Sequence, residues 1–225
     1  MSTNKSAFEI LALPSKGKDM MSKLRAAILS LAVTSGPAFA ESNFSYTFVS
    51  LDYSIFSEEV DNVDDDFEGD GINIKAAFNV MPNLALFAGY GSSSGEVSGN
   101  GNTLRLEGDT VQIGAVLHAP ANETVDVYGG YIRSKYNVDI KFNGTKEDDE
   151  SANGNTIIAG LRAWASEKLE LGASIDRTTY TNDSDSSTEF TVSGDFYLDK
   201  KLSVGASYSF DSDGNSINIG ATKYF

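Results

Sequence analysis

The last 38 residues of the chain, Thr188 to Phe225, alternate apolar and polar side chains over three consecutive strand-length runs. The runs are Thr188–Leu198, Lys201–Phe210 and Ser216–Phe225. A period of two places alternate side chains on opposite faces of a sheet. One of the two sets is almost entirely apolar or aromatic, whereas the other consists mainly of Ser, Gly, Thr and Asn. The sequence therefore predicts an amphipathic antiparallel sheet.

The small residues of the polar set indicate which face of this sheet lies inside. If the apolar face formed a soluble core, the polar face would meet water and would be expected to carry Lys and Glu. Small polar side chains instead suit the lining of a narrow lumen. The apolar face also has aromatic residues near both ends of the runs, Tyr208 and Phe210 at one end and Phe196 and Phe225 at the other. Aromatic rings at both ends are typical of a membrane interface, so we expect the apolar face to contact lipid.

Seven earlier runs repeat the same pattern. In the first, Phe44–Ile55, the apolar parity changes partway, which predicts a β-bulge near Phe48-Val49. The other six have apolar residues at every second position within 72–80, 84–90, 111–117, 125–131, 157–165 and 169–175. The ten runs together predict an all-β chain.

The connections between the runs alternate in length. Polar connections, usually the longer ones, follow the odd-numbered strands at 57–70, 91–103, 137–155, 181–187 and 211–215, and short turns follow the even-numbered strands at 81–83, 118–123, 166–168 and 199–200. An up-and-down meander with long external loops and short periplasmic turns produces this alternation. We therefore predict a closed antiparallel transmembrane β-barrel of ten strands, with eight as the alternative. The rival fold is a soluble, lipocalin-like barrel with its apolar side chains inside.

The N-terminal 40 residues have the pattern of an export signal. Basic residues at Lys23 and Arg25 precede the apolar stretch 26–33, and Ala38-Phe39-Ala40 supplies a small-x-small cleavage pattern. The apolar stretch is too short to cross a bilayer as a helix, which takes about 20 residues. We expect residues 1–40 to be an N-terminal extension plus a signal peptide cleaved after Ala40, and residues 41–225 to form the barrel.

Charge and cysteine content exclude several classes of function. The net charge of the whole chain is −15. Without residues 1–40, 12 basic and 30 acidic side chains remain, and the net charge is −18. Such an acidic protein is unsuited to binding nucleic acid through its phosphates. The chain has no Cys and hence no disulfides.

Taken whole, Glu41–Phe225 resembles the small outer-membrane β-barrel proteins of Gram-negative bacteria, the OmpA transmembrane-domain and OmpX type of the porin family. The resemblance rests on the alternating strands and on the final strand with its terminal Phe225; Lys223 departs from the apolar residue usual at its position. It implies an outer-membrane location among lipid and lipopolysaccharide, a monomeric barrel, and recognition of Phe225 by the barrel-assembly machinery.

The candidate site is a set of charged residues with inward parity. They are Lys75, Asp126, Arg162, Glu170, Asp176 and Asp195. Charges in a narrow barrel must pair or be hydrated, so one interpretation is a static ion-pair network in a plugged lumen. In the other, Arg162 with Glu170 or Asp195 forms a constriction that passes small ions and prefers cations.

The expected function is an outer-membrane barrel with a structural role or a narrow passive pore for small ions or solutes. The alternative is a surface-interaction protein that acts through the acidic loops 57–70 and 137–155. We predict no enzymatic activity and no cofactor, because the single His, His118, falls in a predicted solvated turn. Two acidic stretches, 66–71 and 211–215, lack the Glu that completes a Ca²⁺ loop, so no metal site is predicted.

Overall fold

The computed structural model describes residues 44–45, 47–58, 67–99, 101–181, 186–212 and 214–225. Within them the chain forms ten antiparallel strands, each hydrogen-bonded to its neighbours in chain order, and pairing of the first strand with the last closes the barrel. The strands are β1 (Phe48–Glu58), β2 (Phe67–Met81), β3 (Leu84–Gly99), β4 (Asn102–Pro120), β5 (Val125–Phe142), β6 (Thr145–Trp164), β7 (Leu169–Tyr180), β8 (Ser186–Asp199), β9 (Leu202–Phe210) and β10 (Gly214–Tyr224). The predicted all-β barrel of ten strands is confirmed, and the alternative of eight is excluded.

The alternating side chains point as the sequence predicted. Leu51, Ile113 and Ile157 lie on the outside and are 56%, 61% and 66% exposed. Ser54 and Thr156, from the polar set, are fully buried inside. The aliphatic surface therefore surrounds the barrel from outside, which overturns the lipocalin-like alternative. No helix long and apolar enough to cross a membrane occurs in the described parts of the chain.

The first strand differs from its prediction. Phe48 to Glu58 pair with β2 and with β10 without any register shift, so the β-bulge predicted near Phe48-Val49 is wrong. Phe44 and Phe48 are both buried, whereas Val49 is exposed. The apparent change of parity arises because the two Phe side chains belong to the inward set, where they close one end of the lumen.

Two of the predicted long loops are strands instead. Residues 91–99 continue β3, and β4 begins at Asn102. Residues 137–155 form most of a long hairpin of β5 and β6, joined by Asn143 and Gly144 with φ of 49° and 81°. Positive φ at both central residues is typical of a type I′ turn, whose twist matches that of the strands. The polar composition of these segments reflects outward residues that meet water beyond the lipid.

The short turns occur where they were predicted. The turns that follow β2, β6 and β8 occupy positions 82–83, 165–168 and 200–201 between the strand ends. Residues 1–40 and the acidic residues 59–66 of the predicted loop 57–70 lie outside the described residues. Predictions for those segments stay predictions.

Candidate functional site

The lumen is lined by small polar side chains that hydrogen-bond across neighbouring strands. Asn73 Nδ2 donates to Ser54 Oγ at 2.8 Å, and Ser54 Oγ donates to Asn218 Oδ1 at 2.5 Å. Asn218 Nδ2 then donates to Ser207 Oγ at 3.2 Å. This chain of hydrogen bonds runs through β2, β1, β10 and β9, so it crosses the pairing of the first strand with the last that closes the barrel.

Four of the predicted lumen charges form one group, which we call the lower charge layer because it lies near the short turns. Its members are Asp126, Arg162, Glu170 and Asp195. Arg162 Nε donates to Glu170 Oε1, and its Nη2 donates to Glu170 Oε2 at 2.6 Å. Across the strands, Asp126 lies opposite Arg162, and Glu170 lies opposite Asp195. All four residues interact electrostatically.

Arg162 and Glu170 have further partners that fix the pair inside the lumen. Tyr197 Oη donates to Glu170 Oε2 at 2.9 Å, and the Arg162 guanidinium carbon lies 4.9 Å from the centroid of the Phe44 ring. The two charged side chains are only 6% and 3% exposed. A bidentate pair with an added hydroxyl donor and a cation–π contact is a rigid arrangement.

The two remaining predicted charges, Lys75 and Asp176, lie in an upper charge layer farther from the short turns. Lys75 Nζ forms an ion pair with Asp52 Oδ2 at 3.3 Å. Asp176 lies directly opposite Glu189 across β7 and β8, and Lys75 interacts electrostatically with both carboxylates. Within the described residues, the Asp176 carboxylate oxygens have no hydrogen-bond partner.

The prediction missed Asp52 and Glu189, although the sequence carried a signal for each. Glu189 has the same parity as Thr191, one of the small polar residues predicted to face inward. Asp52 has the parity opposite to Leu51 and Tyr53, but the assumed bulge obscured the parity of the first strand. Correct parity in β1 assigns Asp52 to the lumen.

Aromatic side chains close the lumen at the end of the short turns. Phe44 stacks on Trp164 with centroids 5.1 Å apart, and Trp164 contacts Tyr197 at 4.8 Å. Tyr197 in turn stacks on Tyr224 at 5.4 Å, and Tyr224 contacts Phe48 at 6.1 Å. We call these five residues the aromatic layer. The aromatic layer lies beside the lower charge layer, because Tyr197 of the aromatic layer hydrogen-bonds to Glu170 of the lower charge layer.

Apolar side chains fill the lumen at the opposite end. They are Phe56, Phe67, Val97, Leu106, Val138 and Ile140, which form a buried cluster within the long hairpins. The cavity beside the charged groups is lined by Asp52, Arg162, Glu170 and Asp195 among others and has a volume of about 80 Å³. That volume holds a few water molecules.

The outer surface marks where the lipid-facing belt ends. Tyr90 Oη donates to Asp109 Oδ1 at 2.7 Å, and Tyr131 Oη donates to Asn155 Oδ1 at 2.5 Å. Both rings lie on the exposed face at the end of the aliphatic residues nearer the long hairpins. An amphipathic ring with its hydroxyl engaged on the polar side is typical of a membrane–water interface. The strands β3 to β6 continue beyond this level.

His118 lies in a place that the sequence did not predict. It belongs to β4, faces inward opposite Tyr128 and is 5% exposed, so the interpretation as a solvated turn residue is wrong. The strand extends to Pro120 because the pairing with β5 continues to Asp126. Among the residues that the structure describes, no three His, Asp or Glu side chains are arranged to hold a metal ion.

Comparison with known proteins gives a family and a fold. A family model described as "Outer membrane protein beta-barrel domain" matches residues 26–210. The transport unit of the autotransporter AIDA-I from Escherichia coli superposes with a TM-score of 0.54 at 12% identity and covers 94% of this chain and 99% of its own. The translocator domain of the autotransporter NalP from Neisseria meningitidis gives a TM-score of 0.50 at 14% identity, with 94% and 97% covered. Identities this low show the fold alone. No curated protein sequence matches the chain.

Proposed function

The chain belongs to the outer membrane protein β-barrel domain family, and from this premise we propose that it is a closed, non-conducting barrel with a structural role in the bacterial cell envelope. The observation that carries the proposal is the filling of the lumen by the aromatic layer and the lower charge layer. A passive pore needs a continuous aqueous path, whereas this lumen is interrupted by stacked rings and a bidentate ion pair.

The lower charge layer favours a static ion-pair network rather than a constriction that passes ions. An ion passing Arg162 and Glu170 would have to displace contacts that the two groups already make with each other. Breaking a buried charge pair costs about 3–5 kcal/mol. The Tyr197 ring, which hydrogen-bonds to Glu170, also stacks within the aromatic layer, so the pair and the rings would have to move together.

Planar-bilayer recordings on the refolded chain test this proposal. We expect the native chain to give no conductance steps. A W164A/Y197A variant should also stay closed, because the apolar cluster still fills the opposite end of the lumen. Adding F56A/F67A should give small steps, because rings are then removed at both filled ends. The matched control is Phe196→Ala, which removes an outward ring that is 47% exposed and should leave the lumen closed. Steady cation-selective current through the native chain would contradict the proposal and favour the narrow passive pore.

A second candidate function is surface interaction, and the long hairpins favour it. Strand β6 has 20 residues and β9 has 9, so the hairpin of β5 and β6 reaches well beyond the lipid belt. Its tip is acidic over positions 147–150. The hairpin can be shortened by removing residues 136–142 and 145–152. The Asn143-Gly144 turn would then join Lys135 directly to Asn153, its register partner on β6. A surface role predicts that this shortened barrel still folds but loses binding to the surface of cells that the full chain recognises.

We propose that the chain reaches the membrane by export followed by assisted assembly. A signal peptide cleaved after Ala40 would export the chain. The barrel-assembly machinery would recognise Phe225, which is 70% exposed and has the same parity as the exposed Ile217 and Ile219. We propose that the assembled barrel is a monomer without enzymatic activity. Intact-mass measurement of the protein from outer membranes tests the first step, since a mature chain that does not begin at Glu41 would contradict it.

A further inference from the structure

Three basic residues lie on the outer surface at the edge of the lipid-facing belt. Arg133 and Lys135 lie on β5, Arg177 lies on β7, and all three side chains are exposed. Their neighbours across the strands are aliphatic: Arg133 lies opposite Ile113, and Lys135 lies opposite Val111. Arg177 likewise lies opposite Ile157 of β6. Residues directly opposite each other have Cβ atoms about 5 Å apart, so the three cations lie where the hydrocarbon surface ends.

The level of these residues corresponds to lipid headgroups. Tyr131 precedes Arg133 by two positions on the same outward face, and its hydroxyl is engaged by Asn155 of the next strand. Arg133 lies directly opposite Asn155 on β6. A tyrosine at the interface with a cation one step farther out is the order expected where acyl chains give way to headgroups.

The charge of this surface is opposite to that of the chain as a whole. The net charge is −15, and on β2 to β4 the outward charges at and beyond this level include Asp70, Glu96 and Asp109. On the β5 to β7 side, the outward residues beside the three cations are uncharged: Asn153, Asn155 and Thr179. Asp109 borders the surface from β4, where it accepts a hydrogen bond from Tyr90.

The three cations also differ from the other exposed basic residues of the hairpins. Arg105 and Lys141 both form ion pairs with Glu107, at 3.1 and 2.7 Å, and Lys146 pairs with Asp139 at 2.9 Å. In the described parts of the chain, no carboxylate forms an ion pair with Arg133, Lys135 or Arg177. Arg177 Nη2 donates to Ser186 Oγ at 3.2 Å, a neutral partner, and the residue is exposed.

We propose that Arg133, Lys135 and Arg177 form a docking surface for the phosphate groups of lipid A in the outer leaflet. This inference rests on the outer-membrane location of the barrel and not on whether its lumen conducts. Arginine binds phosphate through two parallel N–H donors, and lysine acts as a compact point charge. The acyl chains of the same lipid would lie along Ile113, Tyr131 and Ile157, so one molecule contacts both the aliphatic and the cationic surface.

The test compares two triple variants of the full chain folded in detergent micelles. R133Q/K135Q/R177Q removes the docking surface, and R105Q/K141Q/K146Q removes the same number of positive charges from positions that are already ion-paired. Folding of each variant is checked by heat-modifiable gel mobility. Binding of bisphosphorylated lipid A, dephosphorylated lipid A and inorganic phosphate is measured by titration at low and at moderate salt.

We expect the first variant to bind bisphosphorylated lipid A at least about tenfold more weakly than the native chain, because each basic residue near a lipid surface contributes about 1 kcal/mol. The control should change binding by less than about threefold. Equal losses in the two variants, or native binding that does not depend on the lipid phosphates, would overturn the proposal. Equally tight native binding of inorganic phosphate would overturn the assignment to lipid A. Conductance is recorded separately, so failure of the closed-barrel proposal is distinguishable from failure of this one.

Discussion

Replacing Glu170 by Leu should destabilise the barrel strongly, because it leaves the Arg162 guanidinium in the lumen without its bidentate partner. Removing one partner of a buried ion pair costs about 3–5 kcal/mol. Asp126 lies opposite Arg162 and compensates part of the Arg162 charge. This favours the lower end of that range, about 3 kcal/mol. Tyr197 loses its acceptor as well, and a hydrogen bond to a charged group is worth about 1.5–3 kcal/mol. We therefore expect a loss of roughly 4.5–6 kcal/mol in the free energy of unfolding.

Equilibrium urea unfolding of the lipid-refolded chain measures this loss. The single Trp, Trp164, contacts Tyr197 in the aromatic layer, so its fluorescence reports on the closed end of the lumen, and circular dichroism reports on the sheet. The double variant R162M/E170L leaves no unpaired Arg162 and should recover the part of the loss that the unpaired charge causes, about 3 kcal/mol. It still lacks the acceptor of Tyr197, so it should remain about 1.5–3 kcal/mol less stable than the native chain.

Two controls separate the charge from the packing. Tyr197→Phe keeps the ring and removes only the hydroxyl donor, so it should cost about 1.5–3 kcal/mol. Asp139→Asn breaks an exposed ion pair with Lys146 and should leave the unfolding midpoint unchanged. The reasoning is refuted if Glu170→Leu lies within about 1 kcal/mol of the native chain, or if the double variant is as unstable as the single one.

Two further predictions concern other parts of the barrel. A Cβ at Gly160 would lie 2.5 Å from Cζ of Tyr128 and 2.7 Å from the carbonyl oxygen of Ala173. Gly160→Val should therefore destabilise the barrel by about 1–3 kcal/mol in the same unfolding assay. An unchanged free energy of unfolding would contradict this crowding and show that the strand can shift. Beyond the lipid, a hydrogen bond from Lys141 is the main cause that lowers the pKa of Glu107. A carboxyl group whose pKa is lowered by folding stabilises the folded state above its unfolded-state pKa, and this stability is lost as the pH falls through its folded-state pKa. Lys141→Gln should therefore raise the Glu107 pKa in a carboxyl-resolved NMR titration, and an unchanged value would contradict the assigned partner.

The sequence by itself determined the inside and the outside of this protein. Alternation in runs such as 202–210 assigns each residue to one face, and the small polar residues of one face cannot form a soluble core or a charged surface. The strand number and the short turns followed as well, because turn residues such as Pro82-Asn83 interrupt the alternation. The inward parity of Arg162 and Glu170, separated by one short turn, also placed them together correctly.

The tertiary structure decided what lies beyond the lipid and what closes the lumen. Residues 137–155 are polar because water surrounds them, and composition alone cannot separate a solvated strand from a loop; pairing with β4 and β5 decides it. The aromatic layer was not predicted, since Phe44, Trp164 and Tyr224 are far apart in the sequence and meet only when β1 pairs with β10. Likewise, Lys75 meets Asp52 through strand register. Local alternation fixes the direction of a side chain, whereas closure of the barrel fixes which side chains from different strands share a level.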